Sequence, residues 1–144
     1  MISKVFIDSD VILDVATERE PFFGDSQAVL ALAEAGVFLP YTSPNSITTI
    51  YYIYKKLSSS VEARNFIKDL IEIVHVAGVD NEVIVHALES RFFDFEDSVR
   101  HFCAVRNRCD FIVTRNTTDY SFSEVQVLNP KELVLLFRKE GAQY

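Results

Sequence analysis

A chain of 144 residues, 49% apolar and 24% charged, has the size and balance of one ordinary globular domain, able to bury roughly two thirds of the surface its unfolded form exposes. That balance excludes disordered and fibrous classes, and no apolar run approaches the ~20 residues of a membrane span. A net charge of −7 opposes nonspecific coating of nucleic acid and leaves room for local phosphate contacts.

Met1-Ile2-Ser3-Lys4 leads directly into an apolar run instead of a signal peptide, so a cytoplasmic protein without membrane contact is expected. Val5 to Ile7 reads as the first strand, followed by a short helix from Asp10 to Thr17. A longer helix spans Asp25 to Ala35, with Gly36 as its C-cap. Val37 to Tyr41 is the second strand. Pro44 then occupies a first helical turn after Ser43, and Ile47, Ile50, Tyr51 and Tyr54 keep helical spacing through Lys56. Ser58-Ser59-Ser60 breaks the chain and caps a helix from Val61 to Leu70. Ile71 to Val76 is the third strand; Asp80 caps a helix through Ala87 or Glu89, and Asp94 caps one from Phe95 to about Arg106. Phe111 to Val113 and Val125 to Leu128 are the last strands. Asn129-Pro130 opens a final helix carrying Leu133, Val134, Leu136 and Phe137. Short strands alternating with helices imply βαβ units and a parallel sheet covered on both faces, in one domain over residues 1–144. Cys103 and Cys109 lie in apolar segments and read as reduced core thiols.

In such sheets ligands collect beyond the carboxyl ends of the strands. Asp8 lies there after the first strand. Val113-Thr114-Arg115-Asn116 leaves another strand the same way, with Asp119 one short loop later, and Asp94-Phe95-Glu96-Asp97 opens a helix. Oxygen-only ligands from separate loops suit Mg²⁺ or Mn²⁺. Zinc would want sulfur or imidazole at close spacing, and the chain has neither CxxC nor a paired-histidine helix. A Gly-rich phosphate loop and a GxSxG elbow are also missing. Carboxylates holding a divalent ion activate water and neutralise a phosphodiester, so hydrolysis of a nucleic-acid backbone is one reading. Helix capping by the same acids is the other, and the spacing leaves both open.

The segments "FIDSDVILDV", "DFEDSVRHFCAVRNRCDFIVTRNTTDY" and "LNPKELV" resemble the PIN-domain family of metal-dependent ribonucleases. "REPFFGDSQAVLALAEAG" and "IYYIYKK" are similar to a bacterial branch of it. Many members are toxins of toxin-antitoxin pairs; others process or degrade RNA. The resemblance implies an α/β fold, a three-layer α/β/α sandwich with a central parallel sheet of about five strands. It also implies an endoribonuclease that cuts RNA phosphodiester bonds with Mg²⁺ or Mn²⁺, with an antitoxin protein and a second copy of the chain as further partners. A catalytically weak or inactive RNA- or protein-binding module on the same fold is the alternative.

Carried over by position, Asp8 and Asp97 are the metal ligands and, with Asp119, the catalytic acids. The family usually has a glutamate where this chain has Thr49, and no acid occurs between Phe38 and Val61 to replace it. At the fourth acidic position, after Thr-Arg, stands Asn116; Asp119 is the replacement three residues on. Thr49, Asn116, Asp10 and Glu96 are therefore expected around the site in secondary roles. Asp10 is either an N-cap or an outer ligand, and Glu96 points about 100° away from Asp97 around its helix. Arg115 is expected to meet substrate phosphate or to pair with an acid. His101 reads as packed, Tyr51, Tyr52 and Tyr54 as core or dimer packing ahead of base stacking, and Arg100, Arg106 and Arg108 as exposed helix charges or a basic rim.

Overall fold

The computed structural model describes residues 2–141. In chain order the elements are β1 (Lys4–Ile7), α1 (Ser9–Ala16), α2 (Phe23–Glu34), β2 (Leu39–Thr42), α3 (Pro44–Leu57), α4 (Ser60–Leu70) and β3 (His75–Val76). They continue with α5 (Asn81–Glu89), α6 (Phe95–Arg106), β4 (Phe111–Val113), a 3-10 turn (Thr117–Tyr120), β5 (Gln126–Leu128) and α7 (Pro130–Gly141). All four strand pairings are parallel, and the sheet order is β3-β2-β1-β4-β5.

Strand alternation separates two cores. Val5, Ile7 and Val113 face a cluster with Val11 and Ile12 of α1, Val29 of α2, Ile50 of α3, Leu70 of α4 and Leu133 and Phe137 of α7. Phe6 and Ile112 point to the opposite face, against Cys103 and Ala104 of α6, Ala77 and Tyr120. Helices on both faces of a parallel sheet make the expected three-layer sandwich. Cys103 and Cys109 are free thiols of the second core, both pushed up to about 12 by burial. Among the described residues no helix is long and apolar enough to cross a membrane.

Caps set most helix starts. Ser43, Ser59, Asp80 and Asp94 each accept a backbone N–H from the first turn of α3, α4, α5 and α6. Asn129 and Glu132 form a reciprocal capping box at α7, at 2.8 and 2.9 Å.

Three expected boundaries move. The first helix begins at Ser9, so Asp8 is its N-cap and Asp10 lies inside the first turn, which overturns the reading of Asp10 as a cap. The second strand starts at Leu39 because Gly36, at φ +77°, turns the chain while the Val37 N–H still bonds to Leu32. The third strand shrinks to His75 and Val76. The amides of Ile71 to Val74 fold back onto the end of α4 instead of joining the sheet.

Candidate active site

The chain winds outward from β1 through β2 to β3, then crosses to β4 on the other side of β1. The carboxyl ends of β1 and β4 thus border the crevice where the winding reverses. Asp8 leaves β1 there and Thr114 leaves β4 beside it. The Asp8 N–H continues the ladder to Val113 O at 3.0 Å.

Asp8 is only 4% exposed and its carboxylate is fully engaged. Oδ1 accepts the Ser9 N–H at 2.7 Å; Oδ2 accepts hydroxyls from Thr114 at 2.9 Å and Tyr120 at 3.0 Å. Charge-assisted bonds of this kind make a buried carboxylate tolerable and fix its direction. Burial and then the Asp8 charge hold the Tyr120 phenol well above its ordinary value, so it stays a donor.

Asp97 stands in the first turn of α6, partly exposed. Burial, followed by the negative charges of Asp8 and Asp94, pushes it up to about 6, with Arg100 pulling the other way and Asp119 adding to the rise. Arg100 is the unforeseen member of this group. It is 6% exposed, not an exposed helix charge, and lies among the acids. Nη1 donates to Asp97 Oδ1 at 3.0 Å, and Nε is 3.7 Å from Asp8 Oδ1. Nε also donates to Ser46 Oγ at 3.1 Å, while Nη2 donates to Thr49 Oγ1 at 3.2 Å and lies 3.5 Å from Glu96 Oε2. Burial works against the guanidinium charge, but the carboxylates of Asp8, Asp97 and Glu96 outweigh it and hold Arg100 above its ordinary value.

The secondary residues divide into two groups. Thr49 and Glu96 both hold Arg100, with Glu96 reaching it one helical turn along α6. Asn45 joins α3 to α6 by donating to Glu96 O at 3.2 Å, and it also bonds Ser43. Asp10 and Asn116 instead clasp the loop after β4. Asp10 Oδ2 accepts from the Arg115 N–H and Asn116 Nδ2 at 2.9 and 3.2 Å and lies 3.1 Å from Thr114 Oγ1, whose one proton it shares with Asp8. Its other oxygen is buried without a hydrogen-bond partner. Burial and then the adjacent Asp8 charge push Asp10 up to about 7.

Asp119 is exposed on the 3-10 turn, close enough for its charge to act on Asp97. Arg115 pairs with the fully buried Asp14 at 2.7 Å, and its guanidinium carbon lies 4.0 Å from the centre of the Phe22 ring. With Lys131 and Asn129 it also lines a cavity of about 280 Å³. His101 is fully buried against Phe92 and accepts the Glu124 N–H; burial pulls it down to about 4, so it is neutral. Tyr54 packs edge-on against Phe66, whereas Tyr52 is 63% exposed. Arg106 is an exposed partner of Asp80.

Sequence reasoning missed Arg100, Ser46, Thr114 and Tyr120 as parts of this site. Only Arg100 carried a local signal, since it follows Glu96 by four residues and Asp97 by three.

The raised acids have a consequence for stability. In metal-free protein the folded state holds the Asp10 proton more tightly than the unfolded chain, whose value is 3.8. Stability therefore falls as pH rises from about 4 to about 7, on the order of 1 kcal/mol per pH unit for this group. Urea unfolding in EDTA at several pH values is expected to show that decline, and Asp10→Asn is expected to make it shallower, leaving the part that Asp97 contributes up to about pH 6. An identical slope in the two proteins would contradict the assignment.

Among the described residues no three His, Cys, Asp or Glu side chains form a ready-made metal cluster. The donor chemistry nevertheless fits a hard divalent cation, which takes one or two carboxylates and keeps several waters. The supporting observation is that carboxylates from two elements, Asp8 after β1 and Asp97 in α6, meet at the crevice around a cationic group, with Arg100 3.7 Å from one and 3.0 Å from the other.

The chain is 28% identical over 134 residues to Ribonuclease VapC1 of Aquifex aeolicus, covering 90% of this chain and 92% of that one. A toxin-antitoxin complex from Klebsiella pneumoniae shares the fold at TM-score 0.67 and 15% identity, over 88% of this chain and 97% of the other. VapC20 of Mycobacterium tuberculosis, a sarcin-ricin loop cleaving toxin, does so at TM-score 0.65 and 14% identity, over 85% and 98%. At those identities the structural matches speak for the fold alone. The PIN domain family model, however, matches residues 4–118, and on that match the chain belongs to the PIN-domain family.

Proposed function

We propose that this protein is an endoribonuclease that hydrolyses RNA phosphodiester bonds with Mg²⁺ or Mn²⁺, as the toxin of a toxin-antitoxin pair. The observation that supports the reading is the approach of Asp8 and Asp97 to one guanidinium at the sheet crevice, as expected of two carboxylates that attract a common cation. Similarity to a VapC ribonuclease over nine tenths of the chain supports the substrate class. Its proposed partners are RNA, a small antitoxin protein and a second copy of the chain, and its proposed setting is the cytoplasm, where reduced thiols belong.

In this reading Asp8 and Asp97 hold the metal. The bound ion supplies charge neutralisation at the phosphodiester and a more acidic water. Thr114 and Tyr120 donate to Asp8 and keep its carboxylate aimed at the crevice. Asp119 completes the acidic edge beside Asp97 and orients water. Asp10 and Asn116 hold the loop that carries Thr114, and Arg115 and Lys131 line the neighbouring cavity together with Asp25, where they are proposed to meet a flanking phosphate.

Metal titration of RNA cleavage tests this. EDTA is expected to abolish cutting and Mn²⁺ to restore it, with Asp119→Asn lowering the restored rate about tenfold or more. The seat of Arg100 among the acids, with Thr49 and Asn116 where acids are usual, favours a second reading, a PIN-fold binding module with little or no catalysis. Saturation only far above millimolar metal, with no cutting, would select it.

A further inference from the structure

We infer that the Arg100 guanidinium is the counter-ion of the Asp8 and Asp97 carboxylates and that divalent metal binds in competition with it. The inference rests on the reading of Asp8 and Asp97 as the metal pair. Two carboxylates from different elements face one side chain that reaches both, at 3.7 and 3.0 Å, while 6% exposed. A cation drawn to Asp8 and Asp97 competes with the guanidinium for their charge.

The surroundings of Arg100 suit a side chain that alternates between two engagements. Ser46 Oγ and Thr49 Oγ1 accept from Nε and Nη2, and the largely exposed Glu96 lies 3.5 Å from Nη2. Those three contacts do not depend on Asp8 or Asp97. When metal takes the two acids, Arg100 keeps the hydroxyl and carboxylate seat that it already has on α3 and α6. Thr49 gains a specific meaning here: a hydroxyl accepts the guanidinium without adding another charge that would hold it in place.

Arginine is a lasting competitor for two reasons. It does not lose its proton in a protein, so no pH change near neutrality removes it. Being tethered, it confronts the acids at high effective concentration, so metal entry must overcome an interaction that is always present. The expected result is a site of weak metal affinity whose strength is set by Arg100.

The test is Mn²⁺ binding to the full chain at pH 7, followed by the EPR signal of free Mn²⁺ and without RNA. Arg100→Gln keeps hydrogen-bonding groups for Ser46 and Thr49 but loses the charge; it is expected to bind Mn²⁺ about tenfold or more tightly than wild type. Arg100→Lys keeps a charge without the planar fork and is expected between the two. If Arg100→Gln does not fold, Arg100→Lys alone decides: tighter binding supports competition and unchanged binding overturns it. Equal or weaker binding by folded Arg100→Gln, with wild type still binding, overturns the competition and leaves the metal pair intact. No binding by any of the three far above millimolar overturns the metal reading and the inference with it.

Discussion

Replacing Asp8 by asparagine is expected to lower metal-dependent RNA cleavage at least about 100-fold while leaving the fold within about 1 kcal/mol of wild type. The two effects separate because the carboxylate has two jobs. As a cap, Asp8 only has to accept the Ser9 N–H, which an asparagine oxygen also does. Its other oxygen meets the hydroxyls of Thr114 and Tyr120, and each can turn to accept from an amide that replaces it. What asparagine cannot replace is the negative charge beside Arg100 and Asp97. Cleavage assays with Mn²⁺ and urea unfolding on the same preparation check both halves; cleavage undiminished in a folded variant would remove Asp8 from the site.

Arg115→Ala is expected to destabilise the protein by about 3 kcal/mol, lowering Tm by roughly 10 °C. Asp14 is fully buried, with Arg115 at 2.7 Å and the Ser26 hydroxyl at 3.0 Å, and its second oxygen has no hydrogen-bond partner. Removing the guanidinium strands a charge in the core, which costs more than the pair itself contributes. Asp14→Asn in the Arg115→Ala background should recover most of the loss, since it removes the stranded charge. Were Arg115 solely a phosphate contact, the variant would melt like wild type and show only a higher KM. Thermal melts of the two variants, with RNA cleavage at several RNA concentrations, separate structural pairing from substrate contact.

These expectations show which parts of the molecule the residues announce. Ser43, Ser59, Asp80 and Asp94 mark helix starts because capping is decided within four residues, and each performs that role in the fold. The buried runs around Ile7 and Ile112 likewise belong to strands that only a parallel sheet covers on both faces. The third strand was poorly legible, because its apolar residues equally suit the turns that close α4. Within the site, Asp8 and Asp97 stand at element ends and can be found from sequence. Arg100 could not be read the same way: its burial depends on Ser46 and Thr49 of α3, over fifty positions away, and no local pattern reports that meeting. Asp14 looks like an ordinary polar position of α1 until Arg115 arrives from the loop after β4.

The central claim is that Asp8 and Asp97 share one cation position, for which Arg100 and a divalent ion compete. Anomalous diffraction from a crystal soaked in Mn²⁺ tests it most directly. The account predicts a manganese peak at both carboxylates, with the guanidinium released from Asp97 and kept on Ser46, Thr49 and Glu96. A soaked crystal with Arg100 still on Asp97 and no manganese at Asp8 would contradict it.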